Sequence, residues 1–292
     1  IFQICQSLRR NRFITVTGPG GIGKTTVALA VGEHGAPDYP DGVVFVDLVP
    51  IDDRSVVEDT IYSAIRSALA PSAALETGAP PPLDSKRILI ILDNCERIIE
   101  TCATVAEKLF GSGTGVHILA TSREALRAET EQVFRLQPLA APPDIEKLSP
   151  AEAQRYPAVQ LFVERARAHV QGYELCDENA GAVAQICRKL DGIALAIELA
   201  AGQIEAFGTS GVAERLNDWF KLAMRGRRTA LPRHQTLGDT LDWSFETLSP
   251  EERRVLLRLS CFAGRFSLEG ACAVGGEGHC ELYRIIASLV GG

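Results

Sequence analysis

Gly18-Pro19-Gly20-Gly21-Ile22-Gly23-Lys24-Thr25-Thr26 lies between an apolar run, Arg12–Thr17 (RFITVT), and a helical pattern, Thr25–Val31 (TTVALAV). It fits G-x-x-x-x-G-K-[ST], with strand, loop and helix in the order that pattern requires. Glycines carry no side chains, so successive backbone N–H groups can turn inward onto phosphate oxygens. The helix N-terminus adds about half a positive charge at the same place. Lys24 then reaches the β- and γ-phosphates, and the Thr25 hydroxyl takes one position on Mg²⁺. Gly18, Gly20, Gly21, Ile22, Gly23, Lys24, Thr25 and Thr26 are therefore the candidate binders of a nucleoside di- or triphosphate.

Working outward, strands and helices alternate. Val43–Leu48 (VVFVDL) reads as a second strand, followed by a helix from about Asp53 to Leu69. Pro71–Ser85, with Pro80-Pro81-Pro82, is a breaker-rich surface excursion. Ile88–Leu92 (ILIIL) is a third strand, continuously apolar as inside a parallel sheet. Ile98–Phe110 is a helix, Val116–Ala120 (VHILA) a fourth strand, and Val133–Leu136 (VFRL) a fifth. This alternation predicts an α/β domain over residues 1–140, with parallel strands and crossover helices. The strand order expected for it is 5-1-4-3-2.

Ala140-Ala141-Pro142-Pro143 opens a linker lasting to about Ser149. A helical domain over 150–222 follows, with helices at Ala158–Val170, Asn179–Leu190, Ala194–Ala206 and Val212–Leu222. Asp177 is the expected N-cap of the second of these and Gly192 its stop. A third unit, 225–292, contains the amphipathic Gln235–Phe245. In it, Ser249-Pro250-Glu251-Glu252 forms a capping box that launches Arg253–Leu259. The turn Gly264–Leu268 leads into another short helix, and this set fits a winged-helix or helix-turn-helix module. Ile1 and Gly291-Gly292 read as ends cut from a longer chain.

Hydrophobic residues make up 46% and charged residues 23% of the 292 residues, an ordinary soluble composition. Neither a membrane-length apolar run nor a signal segment is visible, so the expected compartment is the cytoplasm, with no membrane partner. The eight cysteines include no C-x-x-C. Cys95 follows a buried strand, and Cys102 and Cys187 fall in helical patterns, so reduced core thiols are expected. Cys261, Cys272, His279 and Cys280 match no regular zinc spacing. The net charge of -7 disfavours non-specific attraction to nucleic acid. Arg225-Gly226-Arg227-Arg228 with Arg233-His234 is a local exception, readable as a solvated loop or as a phosphate or nucleic-acid contact.

Asp93 ends the third strand (LIILD), where an acid facing the phosphate loop can hold Mg²⁺ through its water shell, so Thr25 and Asp93 are the candidate metal residues. Many ATP hydrolases place a glutamate directly after this aspartate. Here the position is Asn94, which can orient water but cannot accept its proton. Hydrolysis is therefore expected to be slow unless Glu96 or a partner supplies the base; Glu96 reads equally as a surface residue or a helix start. Val116–Arg123 (VHILATSR) delivers Thr121, Ser122 and Arg123 to a strand end. If that strand lies between the phosphate-loop and Asp93 strands, Arg123 points at the γ-phosphate and senses it. Otherwise it caps a loop near Glu124.

The segments GPGGIGKTT, LIILDNCE, ILATSREAL, DGIALAIELAAG and RHQTLGDTLDWSFETLSPEE together resemble the STAND class of signalling NTPases. More narrowly, they are similar to the NB-ARC-like ATPase region of large bacterial transcriptional regulators. The resemblance implies a nucleotide held among an α/β, a helical and a winged-helix domain. ADP keeps these closed, and exchange for ATP opens them and permits self-association. It also implies an N-terminal DNA-binding domain and C-terminal helical repeats, so that DNA is a partner only indirectly. Lys24, Asp93 and Arg123 match the lysine, the Mg²⁺ acid and the sensor arginine. Ile193 and Ala194 fall in the helical-domain motif often written G-x-P-L-A, with Ala194 replacing its proline. The glycine-arginine segment that touches adenine and a Met-His-Asp motif are absent, leaving Arg233 and His234 as winged-helix candidates. The leading expectation is an ATP/ADP switch with slow ATPase activity. The alternatives are a constitutive ATP hydrolase or small-molecule kinase, and a DNA-binding module acting through the winged helix.

Overall fold

The computed structural model describes residues 1–51, 54–69, 83–144, 148–216, 249–260 and 268–275. These form two compact units, Ile1–Pro19 with Gly23–Gln137, and Gly20–Ile22 with Pro138–Gly292.

The first unit contains α1 (Phe2–Arg10), β1 (Phe13–Thr17), α2 (Lys24–Gly35), β2 (Val43–Asp47), α3 (Val57–Leu69), β3 (Ile88–Asp93), α4 (Ile99–Gly111), β4 (Val116–Ser122) and β5 (Gln132–Arg135). All four strand pairings are parallel, and the order β2-β3-β4-β1-β5 is the expected 5-1-4-3-2 seen from the other edge. The strands β1, β3 and β4 are buried along their whole length. Alternate side chains enter separate layers, as the two-residue period of a strand requires. Phe13, Ile88, Ile90, Leu92, Val116 and Ile118 pack with α3 and α4 through Ile61, Ile65, Val105 and Leu109. Ile14, Val16, Leu89, Ile91 and Leu119 pack with α1 and α2 through Ile4, Leu8, Ala28 and Val31. Each of the larger of these side chains, Val, Leu, Ile or Phe, contributes about 1.5–3 kcal/mol on burial.

Several boundaries differ from the sequence expectation. The β4 strand continues to Ser122, because Val16 and Thr17 of β1 still pair with Thr121 and Ser122. In the helix expected from Asp53, itself outside the described residues, Arg54–Val56 form a 3-10 turn and the α-helix runs from Val57. The first helix was not anticipated; Ile4 and Leu8, one turn apart, are its buried residues.

The second unit contains α5 (Pro150–Ala153), α6 (Pro157–His169), α7 (Ala180–Lys189), α8 (Ala194–Ala201), α9 (Ile204–Arg215), α10 (Pro250–Leu259) and α11 (Leu268–Gly275). Its core gathers Val159, Phe162, Val183, Ile186, Ile197 and Val212. The linker ends in a capping box, in which Ser149 and Glu152 satisfy each other's backbone N–H groups at the start of α5. The N-cap of α7 is Asn179 rather than Asp177, with the Asn179 side chain bound to Cys176 N–H and Glu174 O. Gly192 does end that turn, at φ 69°. A Cβ there would stand 2.0 Å from the Leu139 carbonyl oxygen, so both the dihedral and the space demand glycine. The single helix expected over Ala194–Ala206 is two, α8 and α9; the described part of the one expected over Val212–Leu222 lies in the second half of α9, past a break at Gly208, and residues 217–222 lie outside the described residues. The capping box at Ser249 forms as read.

Pro71–Pro82, Arg225–Arg228, Arg233, His234, Gln235–Phe245, Gly264–Ser267, Cys261, His279, Cys280 and the Cys272 side chain lie outside the described residues. Cys95, Cys102 and Cys187 are free and buried. Among the described residues no His, Cys, Asp and Glu side chains gather as a metal cluster, and no helix is long and apolar enough to cross a membrane.

Candidate functional site

A parallel sheet puts all its strand C-termini on one edge, and this edge collects the chemistry of the first unit. Asp93 closes β3, in register with Asp47 at the end of β2. Its carboxylate is 1% exposed and is met by three side-chain donors. The Thr25 hydroxyl, one residue into α2, lies 2.8 and 3.0 Å from the two oxygens. The Thr121 hydroxyl donates at 2.5 Å, and in turn accepts the Asn94 N–H at 3.0 Å. Asn94 Nδ2 donates to Asp93 at 2.5 Å and to Asp47 at 3.2 Å. Burial pushes the Asp93 carboxyl above its ordinary range. The Thr121 and Thr25 bonds pull it back only in part, and the charges of Asp47 and Glu96 push it further up.

Lys24 opens α2 behind Gly23, whose φ of 106° is a left-handed geometry that suits glycine. Its buried ammonium donates to the carbonyls of Gly18 (2.7 Å) and Pro19 (3.2 Å). Desolvation lowers the Lys24 pKa; Glu96 and Asp93 draw it up and Arg123 pushes it down. Thr26, the next residue but one, is exposed.

Asn94 adopts the left-handed conformation, at φ 64°, which Asn tolerates better than most residues. The conformation turns its amide back onto Asp93 and Asp47. Glu96 follows in a 3-10 turn, Cys95–Arg97, rather than at a helix start. Its Oε1 lies 3.7 Å from Arg123 Nε, with the side chains only 11% and 15% exposed. Glu96 Oε2 is buried with no hydrogen-bond partner. Arg123 directly follows β4, and β4 does lie between β1 and β3. The ion partner of Glu124 is Arg127, at 3.7 Å.

The remaining loop residues belong to the second unit. There the Gly21 carbonyl accepts the Leu195 N–H at 2.9 Å. Ile193 is the N-cap of α8 and Ala194 its first residue, the position where the family's proline suits a helix because its missing N–H would be unpaired anyway.

Sequence reasoning missed Asp47 and the bridging part of Thr121. Asp47 ends VVFVD as Asp93 ends LIILD, and that repeated acid at a strand end was the available signal.

No family model matches the chain. It is 35% identical over 288 residues to a protein of unassigned function from Mycobacterium tuberculosis, covering 97% of this chain and 70% of that one. It is 34% identical over 282 residues to a protein of the same organism described as an HTH-type transcriptional regulator. That match covers 97% of this chain and 30% of the relative, so the chain spans less than a third of the regulator's length. A solved structure of a Signal Transduction ATPase with Numerous Domains, bearing a tetratricopeptide repeat sensor, from Pyrococcus horikoshii aligns with 98% of this chain and 38% of its own, at 14% identity and a TM-score of 0.36. By the mutual coverage of the 35% identical mycobacterial relative the chain belongs to the same family, and its phosphate-loop motif on a five-stranded parallel sheet makes it a P-loop NTPase.

Proposed function

We propose that this chain is an ATP/ADP-binding switch with slow hydrolysis, serving a bacterial signal-transducing transcriptional regulator. The observation that carries this reading is the Thr25 hydroxyl resting on the buried Asp93 carboxylate. A hydroxyl and a carboxylate are hard oxygen donors of the kind Mg²⁺ takes alongside water and nucleotide phosphates. Asp93 also carries the desolvation burden of a charge that a cation would relieve. The donor set therefore fits Mg²⁺, with Thr25 and Asp93 as its protein residues; when bound, the ion neutralises phosphate charge. Lys24 provides the buried ammonium for the β- and γ-phosphates, and Gly18, Gly20, Gly21, Ile22, Gly23 and Thr26 complete the loop around them.

Slow turnover follows from Asn94, whose amide is committed to Asp93 and Asp47 and has no capacity to take a proton. Glu96 is the remaining candidate base. A ligand shifts a conformational balance only by binding the two states unequally, and Arg123 is the residue best suited to sense the difference between ATP and ADP. On this reading the domains are 1–140 for nucleotide binding, 150–222 helical and 225–292 winged-helix-like. Ile193 and Ala194 contribute to the nucleotide contact. ATP binding permits self-association, and flanking DNA-binding and helical-repeat domains connect the switch to DNA and to a signal.

The test is to identify and count nucleotide released on denaturing the purified protein, with Lys24→Ala alongside. Retained ADP in the wild type and none in the variant is expected. Equal ATP affinity in both proteins would remove the phosphate-loop assignment, and several turnovers per second without a partner would replace the switch with a constitutive hydrolase.

A further inference from the structure

The Glu96–Arg123 pair stands beside the phosphate-binding lysine: both side chains act on the charge of Lys24, in opposite directions. The pair is loose. At 3.7 Å it exceeds hydrogen-bonding distance, yet both groups are nearly buried. One Glu96 oxygen, Oε2, is shut from water with no donor, a costly arrangement for a carboxylate. A guanidinium offers a planar fork that a phosphate engages better than a carboxylate held at 3.7 Å.

We propose that Glu96 and the γ-phosphate of ATP compete for Arg123, so that the ion pair sets how strongly the site prefers ATP over ADP. This rests on the nucleotide-binding reading above and adds a regulatory part to it. ADP, lacking the γ-phosphate, leaves Arg123 with Glu96. ATP draws Arg123 away and must overcome the carboxylate to do so. Glu96 is thus a positioning residue that lowers the site's preference for ATP, the direction a resting switch requires. Arg123 follows β4, between the strands that carry the phosphate loop and Asp93, and on the nucleotide-binding reading a γ-phosphate would lie within its reach.

The experiment is calorimetric titration of the full chain with Mg²⁺-ADP and with a non-hydrolysable Mg²⁺-ATP analogue, in wild type, Glu96→Gln, Arg123→Ala and the double variant. The ratio Kd(ADP)/Kd(analogue) should rise at least about fivefold in Glu96→Gln, within the range of ordinary coupling between sites. It should fall in Arg123→Ala, and Glu96→Gln should add nothing in that background. Arg123→Lys, which keeps the charge without the fork, should lie between wild type and Arg123→Ala and serves if the alanine variant does not fold. An unchanged ratio in Glu96→Gln, or the same rise in the absence of Arg123, would overturn the competition. Wild-type protein that binds neither nucleotide would overturn the nucleotide reading and this inference with it, whereas binding with an unchanged ratio overturns the inference alone.

Discussion

Asn94→Asp separates two ideas about the position after the strand-end aspartate. If residue 94 faces the reacting water, an acid there should speed hydrolysis. The geometry says otherwise, since the Asn94 amide nitrogen is 2.5 Å from one carboxylate oxygen of Asp93 and 3.2 Å from one of Asp47. An aspartate replaces that donor with an oxygen and brings a third carboxylate against two others. Charges centred about 4 Å apart repel by about 4 kcal/mol at an effective dielectric near 20. Two such contacts exceed what the site can hold, so one carboxyl takes up a proton instead. That escape limits the penalty: protonating a carboxyl of ordinary pKa near 4 costs about 1.36 kcal/mol per pH unit above it, hence about 5 kcal/mol at pH 7.5 and about 1.5 at pH 5.

The sign follows from proton linkage. Like charges raise the folded-state pKa above the unfolded value, so between the two the folded protein binds more protons and stability falls as pH rises. The expected loss for the unliganded variant is about 3–5 kcal/mol at pH 7.5 and no more than about 1.5 at pH 5, against a typical total of about 5–15. The buried thiols of Cys95 and Cys102 report on this unit specifically. Pulsed alkylation in a urea series, with labelled peptides read by mass spectrometry, gives the midpoint of its unfolding at each pH. Equal midpoints for variant and wild type at pH 7.5, or a loss identical at both pH values, would refute the clamp. So would an Asn94→Asp protein of wild-type stability that hydrolyses ATP many times faster.

Three further outcomes follow from the same geometry. Asp93→Ala should abolish the tightening of ATP binding by Mg²⁺; titration with and without the ion checks this, and a tightening that survives contradicts the metal assignment. Because the Asp93 pKa is raised above 3.8, its ionised form destabilises the unliganded fold. Relative to Asp93→Asn, wild-type stability should therefore decline as pH rises from about 3.8 through the folded-state value, and parallel pH profiles would show the burial to be cost-free. Gly192→Ala forces a side chain into a left-handed dihedral 2.0 Å from the Leu139 carbonyl oxygen. It should lower the stability of the second unit by about 2 kcal/mol or more, and unchanged Cys187 labelling in urea would contradict that.

The sheet was legible because burial on both faces leaves a plain mark. ILIIL and VHILA have no charged residue to put outward, and the strands they form are buried throughout. The phosphate loop was legible because its glycines, lysine and threonine match a pattern whose residue types are set by phosphate contacts wherever that loop binds nucleotide, so it can be read without any structure. Helix ends in the second unit were less readable. Asn179 rather than Asp177 is the N-cap, and its side chain binds back to Cys176 N–H and Glu174 O instead of to the helix, a detail that a capping pattern does not encode. Asp47 was missed because strand-end acids are common, and only the β2–β3 register brings this one beside Asp93. The contact of Glu96 with Arg123 joins residues on separate segments, and no periodicity encodes such a pairing.

That pairing depends on strand order. Had β4 been placed at the edge, Thr121 could not reach Asp93 and Arg123 could not reach the turn that holds Glu96. Inserting β4 between β1 and β3 brings one strand end against both neighbours. Its Thr121 then supports the carboxylate of β3, while Arg123, two residues on, meets the acid that follows β3. One strand therefore ties the surroundings of Asp93, the proposed metal acid, to the partner of Arg123, the proposed sensor. On the proposed reading, a nucleotide at this edge bears on both, since Glu96, Arg123 and Asp93 all act on the charge of Lys24 and Glu96 acts on that of Asp93. Coupling of this kind needs no long relay through the fold: the parallel sheet supplies it by ending its strands on the same side.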